Sequence, residues 1–250
     1  ILKFKGDIQA SQVENLSREV TATLLCATKK DAVLVCLESP EGMVPNYGLA
    51  TSQLARIRAA NIALTVVVDK VAASGGYMMA SVANTILAAP FAIIGSIGVI
   101  AQLPNFHRLL EKNDIDYEQI SAGDYKRTLT LFGKNTEAGR DKMQSEIDIT
   151  QDLFKDHIKQ YRTSLDIDSV ATGEYWYGTD ALKLNLIDAI QTSDDYIMQQ
   201  KDTYDIFQIQ CKIKVPLLKK LTRQAQLLWQ SLGHHNNLIH WDTITVIFEQ

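Results

Sequence analysis

The sequence has 250 residues, 46% of them hydrophobic and 22% charged, which supplies one large core or two modest ones and excludes a disordered chain. With 13 Gly and 5 Pro it is not collagen-like, and its 3 Cys are too few for a disulfide framework. A net charge of −4 excludes a general electrostatic hold on nucleic acid, so no nucleic-acid partner is expected. The charge is uneven. Residues 1–205 carry 20 basic and 27 acidic side chains, whereas residues 206–250 carry 5 basic and 2 acidic ones, with all five bases between Lys212 and Arg223.

In chain order, residues 2–5 read as a short strand. Ser11 is placed to cap a helix running to about Ala27, with Val13, Leu16, Val20 and Leu24 on one face. The apolar run 32–37 (AVLVCL) has the form of a strand buried on both faces of a parallel sheet. A helix from about Tyr47 to Ala60 follows, then a second buried strand at 63–68. The pattern next predicts a helix from Ser74, strands near 85–88 and 92–101, a short helix at 105–113 and a strand at 117–121. Thr136 begins a long amphipathic helix to about Arg162, on which His157 reads as solvated. A helix at 179–184 leads to a strand at 186–188. Buried strands alternating with helices imply parallel βαβ crossovers and an α/β fold.

Between Lys70 and Arg108 there is no Asp, Glu, Lys or Arg. The stretch is long enough to span a bilayer, but Gly75, Gly76, Pro90, Gly95 and Gly98 cut it into pieces that are too short. It reads as buried core. Cys26 and Cys36 read as packing residues, and Cys211, alternating with Ile209 and Ile213, is placed to face a core. The chain starts at Ile1 rather than Met, so a fragment or a processed product is expected.

The sequence DKVAASGGYMMA places Ser74 between a strand and a helix, followed by Gly75 and Gly76. Free N–H groups at such a turn stabilise negative charge, and glycines admit a substrate backbone. Taken alone, the same pattern also suits a capping serine. A nucleophilic serine needs a base. His107 is the only imidazole in a plausible position, and no G-x-S-x-G elbow is present. A lysine serves instead if burial makes it neutral; Lys70 and Lys126 are the candidates.

Several segments occur together in order: ESPEG at 38–42, AASGGYMMA at 72–80, IIGSIGV at 93–99, SAGDYKRT at 121–128 and TGEYWYGTDALKLNLIDAI at 172–190. The set resembles the signal peptide peptidase A family of Ser–Lys serine proteases, in particular its SohB-type members, over roughly residues 1–200. The resemblance implies a Clp protease/crotonase-like fold of ββα units with a parallel sheet. It also implies Ser74 as nucleophile, Lys126 as general base and Ser96 as the residue that orients the lysine. The N–H groups of Gly75 and Gly42 would form the oxyanion hole. Met78, Met79 and Ile97 are candidates for an apolar substrate pocket. By the same resemblance, the substrates are hydrophobic peptides such as signal-peptide remnants. The site faces the periplasm at the bacterial inner membrane, on a homo-oligomer anchored by a preceding N-terminal segment. No cofactor or metal is expected, since the sequence holds no P-loop and no clustered Cys/His ligands.

The resemblance divides the chain into a protease domain over 1–205 and a basic amphipathic extension over 206–250. In the extension, Leu218, Leu221, Ala225, Leu228 and Leu232 form one helical stripe, beside Lys219, Lys220 and Arg223 and near Trp229. That stripe suits packing on protein or an anionic membrane surface. Gly233 would end it, and residues 243–248 read as a strand. Two departures from the family pattern stand out. Asn185 replaces the usual Gly at a helix end, where Asn is the next most tolerant residue. Glu41 replaces the first Gly of the turn carrying Gly42. If that position is left-handed, Glu costs roughly 1–2 kcal/mol, and a carboxylate there opposes oxyanion charge. Two other functions remain open: an acyl-CoA enzyme of the crotonase kind, and a non-catalytic scaffold impaired by Glu41.

Overall fold

The computed structural model describes residues 1–211. Five parallel strands form the central sheet: β1 (Leu2–Lys5), β2 (Ala32–Glu38), β3 (Ala63–Val68), β5 (Thr85–Ala88) and β8 (Ala189–Ile190), in the order β1-β2-β3-β5-β8. A second, three-stranded sheet holds β4 (Val71–Ala73), β6 (Ile93–Gly95) and β7 (Tyr175–Tyr177), with β4 and β6 parallel and β7 antiparallel. The helices are α1 (Val13–Cys26), α2 (Val44–Ala59), α3 (Gly75–Ser81), α4 (His107–Lys112), α5 (Glu137–Tyr161), α6 (Ile167–Val170), α7 (Gly178–Lys183) and α8 (Ser193–Gln200).

The continuous apolar runs of β2 and β3 are explained by burial on both faces. Val33, Val35, Leu64, Val66, Ile86 and Ala88 enter the main core. The intervening Leu34, Val67 and Leu87 form a second cluster, with Tyr196 and Ile197 of α8 packed against it. A period of two directs alternate residues to opposite faces, and both faces are dry, so no alternation survives in the sequence.

Several boundaries differ from the sequence expectation. Ser11 caps nothing: its N–H and hydroxyl both bind the Asp7 carboxylate, and Gln12 occupies the cap position. α2 starts earlier, with Pro45 in its first turn, where a missing N–H costs no hydrogen bond. The strand expected at 92–101 ends at Gly95, and no strand forms at 117–121. The final sheet strand lies at Ala189–Ile190 rather than 186–188. Leu186 and Ile187 are core residues of the preceding turn, and their apolarity mimics a strand. Thr136 does cap α5, accepting from Gly139 N.

The uncharged stretch after Lys70 is divided among β4, α3, β5 and β6. Among the described residues, no helix is long and apolar enough to cross a membrane. The chain divides after Gln210. The expected helix stripe at 218–232, its end at Gly233 and the strand at 243–248 lie outside the described residues, as do His234, His235 and His240.

Candidate active site

Two short parallel strands build the site. β4 and β6 pair with the register Val71↔Ile93, Ala72↔Ile94 and Ala73↔Gly95. One step further along each strand stand Ser74 and Ser96, and Ser74 N donates to Gly95 O at 2.8 Å. Neighbouring strands lie about 5 Å apart, so this register sets the two serines side by side. Both have positive φ, 52° at Ser74 and 50° at Ser96, and Gly95 has φ 106°. A non-glycine residue with positive φ costs on the order of 1–3 kcal/mol and persists only where its surroundings impose it. At Ser74 the strand ladder on one side and the first turn of α3 on the other do so, and at Ser96 the ladder and the Glu174 carbonyl do.

Ser74 stands at the entry to α3. The first intrahelical bond runs from Met78 N to Ser74 O at 3.0 Å, so the N–H groups of Gly75, Gly76 and Tyr77 precede the helical ladder. Ser96 is held from behind by segment 172–177. Ser96 N donates to Glu174 O at 2.7 Å. Trp176 lies so close to Gly95 that a Cβ there would approach its ring to 2.8 Å. The motif at 172–190 therefore supports the site through its first half. Its second half is a helix end. Asn185 takes φ 58°, Leu186 N donates to Ala181 O at 2.9 Å and Asn185 N to Leu182 O at 3.1 Å, a Schellman turn.

Gly42 lies in the turn between β2 and α2. The edge of that turn is tied to β4: Ser39 N donates to Val71 O at 2.8 Å and Ala73 N to Ser39 O at 3.0 Å. Glu41 is exposed and is not among the residues with positive φ. The strain that a left-handed glutamate would bring is absent, and its carboxylate faces solvent.

Lys126 is exposed, in the irregular segment between α4 and α5. Among the described residues its side chain forms no ion pair or hydrogen bond, and the structure does not join it to Ser74. Lys70, the alternative base, is 3.2 Å from Glu38, which also pairs with Lys5 at 3.3 Å. His107 heads α4, its N–H 3.3 Å from Asn105 Oδ1. His157 corrects the sequence reading. It is partly buried on α5, its Nε2 is buried without a hydrogen-bond partner, and burial lowers its pKa, partly offset by a hydrogen bond to the Met78 backbone of α3. Met78, Met79 and Ile97 belong to the main core, so each packs in this structure whatever it does with substrate.

Sequence reasoning missed Tyr47, Ser39 and Trp176, which surround the two turns. The available signal was Gly42, Gly75 and Gly95. Gly42 and Gly75 do not have positive φ, so their lack of a side chain marks a close neighbour rather than a left-handed turn.

Residues 56–206 match the model of peptidase family S49, and residues 1–54 match the family's N-terminal model. The probable protease SohB of Haemophilus influenzae is 52% identical over 226 residues, covering 90% of this chain and 64% of that protein. The probable protease SohB of Buchnera aphidicola from Schlechtendalia chinensis is 55% identical over 200 residues, covering 80% and 66% respectively. The chain thus spans a little under two thirds of the length of these curated relatives. A solved structure of a membrane-bound stomatin-specific protease mutant with a substrate peptide superposes with a TM-score of 0.54 at 13% identity, covering 89% of this chain and 96% of that one, which supports the Clp protease-like fold. On its residues, its fold and its relatives, this chain belongs to peptidase family S49, with the SohB proteases among its relatives.

Proposed function

We propose that this chain is a serine endopeptidase in which Ser74 attacks, Lys126 acts as general base and Ser96 orients the lysine. The observation that carries this reading is the register of β4 and β6, which brings Ser74 and Ser96 together under strained backbone at the head of α3. The neutral Lys126 amine accepts the Ser74 proton as Oγ bonds to the peptide carbonyl carbon. The carbonyl electrons move to oxygen, where the N–H groups of Gly42 and Gly75 stabilise the anion. Collapse breaks the C–N bond, and the lysine returns the proton to the leaving amine. Water, deprotonated by the same lysine, then releases the acyl group.

A lysine base must be desolvated, and Lys126 is exposed in the single chain. The base step therefore belongs to an assembled or substrate-bound state in which the 114–135 segment is covered. A homo-oligomer with enclosed sites meets that requirement. Hydrophobic peptides such as signal-peptide remnants are the proposed substrates. The bacterial inner membrane is the proposed location, with the site on the periplasmic side. Membrane attachment is assigned to a segment preceding Ile1 and to the basic 206–250 extension.

The test is intact-mass labelling with a hydrophobic peptidyl or fluorophosphonate probe on wild type, Ser74→Ala and Lys126→Ala. One adduct on wild type, lost in both variants, is expected. Loss in Ser74→Ala alone keeps the nucleophile and moves the base to His107 or Lys70. Wild-type labelling that survives Ser74→Ala overturns the reading. Hydrolysis of an acyl thioester that survives Ser74→Ala would favour the crotonase-like reading.

A further inference from the structure

We infer that Tyr47 is a positioning residue whose ring sets the spacing between the two oxyanion donors; this rests on the assignment of Gly42 and Gly75 made above. Tyr47 is fully buried at the start of α2. Its ring lies between the two donor turns and touches each by a different edge. A Cβ at Gly42 would collide with Cε2 and come within 2.7 Å of Cδ2. A Cβ at Gly75 would collide with Cγ and come within 2.8 Å of Cβ and Cδ1. Neither glycine needs its freedom for positive φ, so the missing side chain is explained by the ring. One rigid, flat group thus separates two backbone segments that come from different parts of the chain.

The ring is itself anchored. Tyr47 Oη donates to Asp7 O at 2.9 Å. A phenol has one proton, so the 2.6 Å contact with Ser39 is made by the serine hydroxyl donating to Tyr47 Oη. Ser39 is buried, and its backbone is bonded to Val71 and Ala73 of β4, the strand that ends at Ser74. Gly76 completes the enclosure, since a Cβ there would lie 2.6 Å from Ser39 O. Phe4 packs on the ring edge-on, with centroids 6.3 Å apart. Donor turn, nucleophile strand and helix start therefore all register on one side chain.

Oxyanion stabilisation depends on donors placed to within a fraction of an ångström, and misplacement by about 1 Å costs on the order of 100-fold in rate. Removing the ring allows Gly42 and Gly75 to approach or slide, which weakens binding of the tetrahedral oxyanion more than binding of the ground-state peptide. The ring acts through its shape, so its hydroxyl contributes less than its breadth.

The experiment compares Tyr47→Leu and Tyr47→Phe with wild type on a peptide ester substrate, with kcat expressed per active site titrated by fluorophosphonate. Inhibition by a peptide boronic acid, which forms the tetrahedral adduct, is measured alongside. For Tyr47→Leu, kcat per site is expected to fall about 100-fold, KM to change less than about threefold, and boronate affinity to fall in step with kcat/KM. Tyr47→Phe is expected to restore kcat to within about fivefold of wild type. A Tyr47→Leu enzyme with reduced thermal stability but wild-type kcat per site overturns the proposal, because Tyr47 is then only a packing residue. A Tyr47→Phe enzyme as impaired as expected for Tyr47→Leu also overturns it, and that variant decides the matter if Tyr47→Leu does not fold. Failure of the underlying serine-protease reading looks different: wild type itself would then carry no adduct on Ser74.

Discussion

Ser74 and Ser96 are L-residues held at φ 52° and 50°, where the Cβ crowds its own backbone. Ser74 is half-buried at the turn from β4 into α3, so the backbone strain falls on the residue proposed as nucleophile. Ser74→Gly is expected to abolish labelling while stabilising the fold by about 1 kcal/mol, or roughly 2–4 °C in thermal unfolding. Thermal melting of the pair checks this; a lower melting temperature for the glycine variant would count against backbone strain at Ser74. Asn185 is the same kind of position without the chemistry. Asn tolerates the left-handed conformation, but Gly is better still, so Asn185→Gly is expected to raise stability by a few tenths to about 1 kcal/mol and leave activity unchanged. Asn61 ends α2 in the same way at φ 57°, with Ile62 N donating to Ile57 O at 3.3 Å.

At the scale of elements, the site is a junction of short pieces, each braced by another. Segment 172–177 braces Ser96 through the Glu174 carbonyl and the Trp176 ring. Trp176→Ala is therefore expected to lower kcat about tenfold, whereas Tyr175→Ala, which removes a ring that is 57% exposed, is expected to leave it near wild type. Steady-state kinetics on the two variants checks the contrast. On α5, His157 is partly buried. Burial holds the His157 pKa below its ordinary value of 6.5, so the folded state favours the neutral ring. The unfolded chain then binds the proton more tightly. The stability this contributes is present above pH 6.5 and is lost as pH falls through the lower, folded-state pKa. The melting temperature is expected to drop across that window in wild type and to drop less in His157→Gln. Equal slopes for the two proteins would remove His157 as the cause.

At the scale of the whole molecule, the large buried side chains come from the five-stranded sheet and from the helices: Phe4, Leu64 and Ile86 lie on the sheet, Tyr47 and Leu54 on α2 and Tyr77 on α3. Both serines stand just past the strands of the smaller sheet, whose Ile94 is itself fully buried. Leu64 of β3 is fully buried, so Leu64→Ala is expected to cost about 2–5 kcal/mol in urea unfolding. Leu153 of α5 is 65% exposed, and Leu153→Ala is expected to stay within about 0.5 kcal/mol of wild type.

The sequence by itself determined the α/β class, the buried strands at 32–37 and 63–68, the helix begun by Thr136, the left-handed Asn185 and the family. These rest on local signals: apolar runs, a capping hydroxyl, a turn residue and motifs in order. It misread the boundary where core side chains lie in irregular backbone, as at Leu186 and Ile187, the cap at Ser11, whose hydroxyl binds Asp7 in the preceding turn instead, and the burial of His157, which only packing reveals. Only the tertiary structure decided that Ser74 and Ser96 are neighbours, because strand register is a pairing between segments more than twenty residues apart. Only it showed that Glu41 faces solvent outside the left-handed region. Only it put one tyrosine ring between Gly42 and Gly75, because a glycine in a sequence marks a missing side chain and the neighbour that forbids one comes from folding.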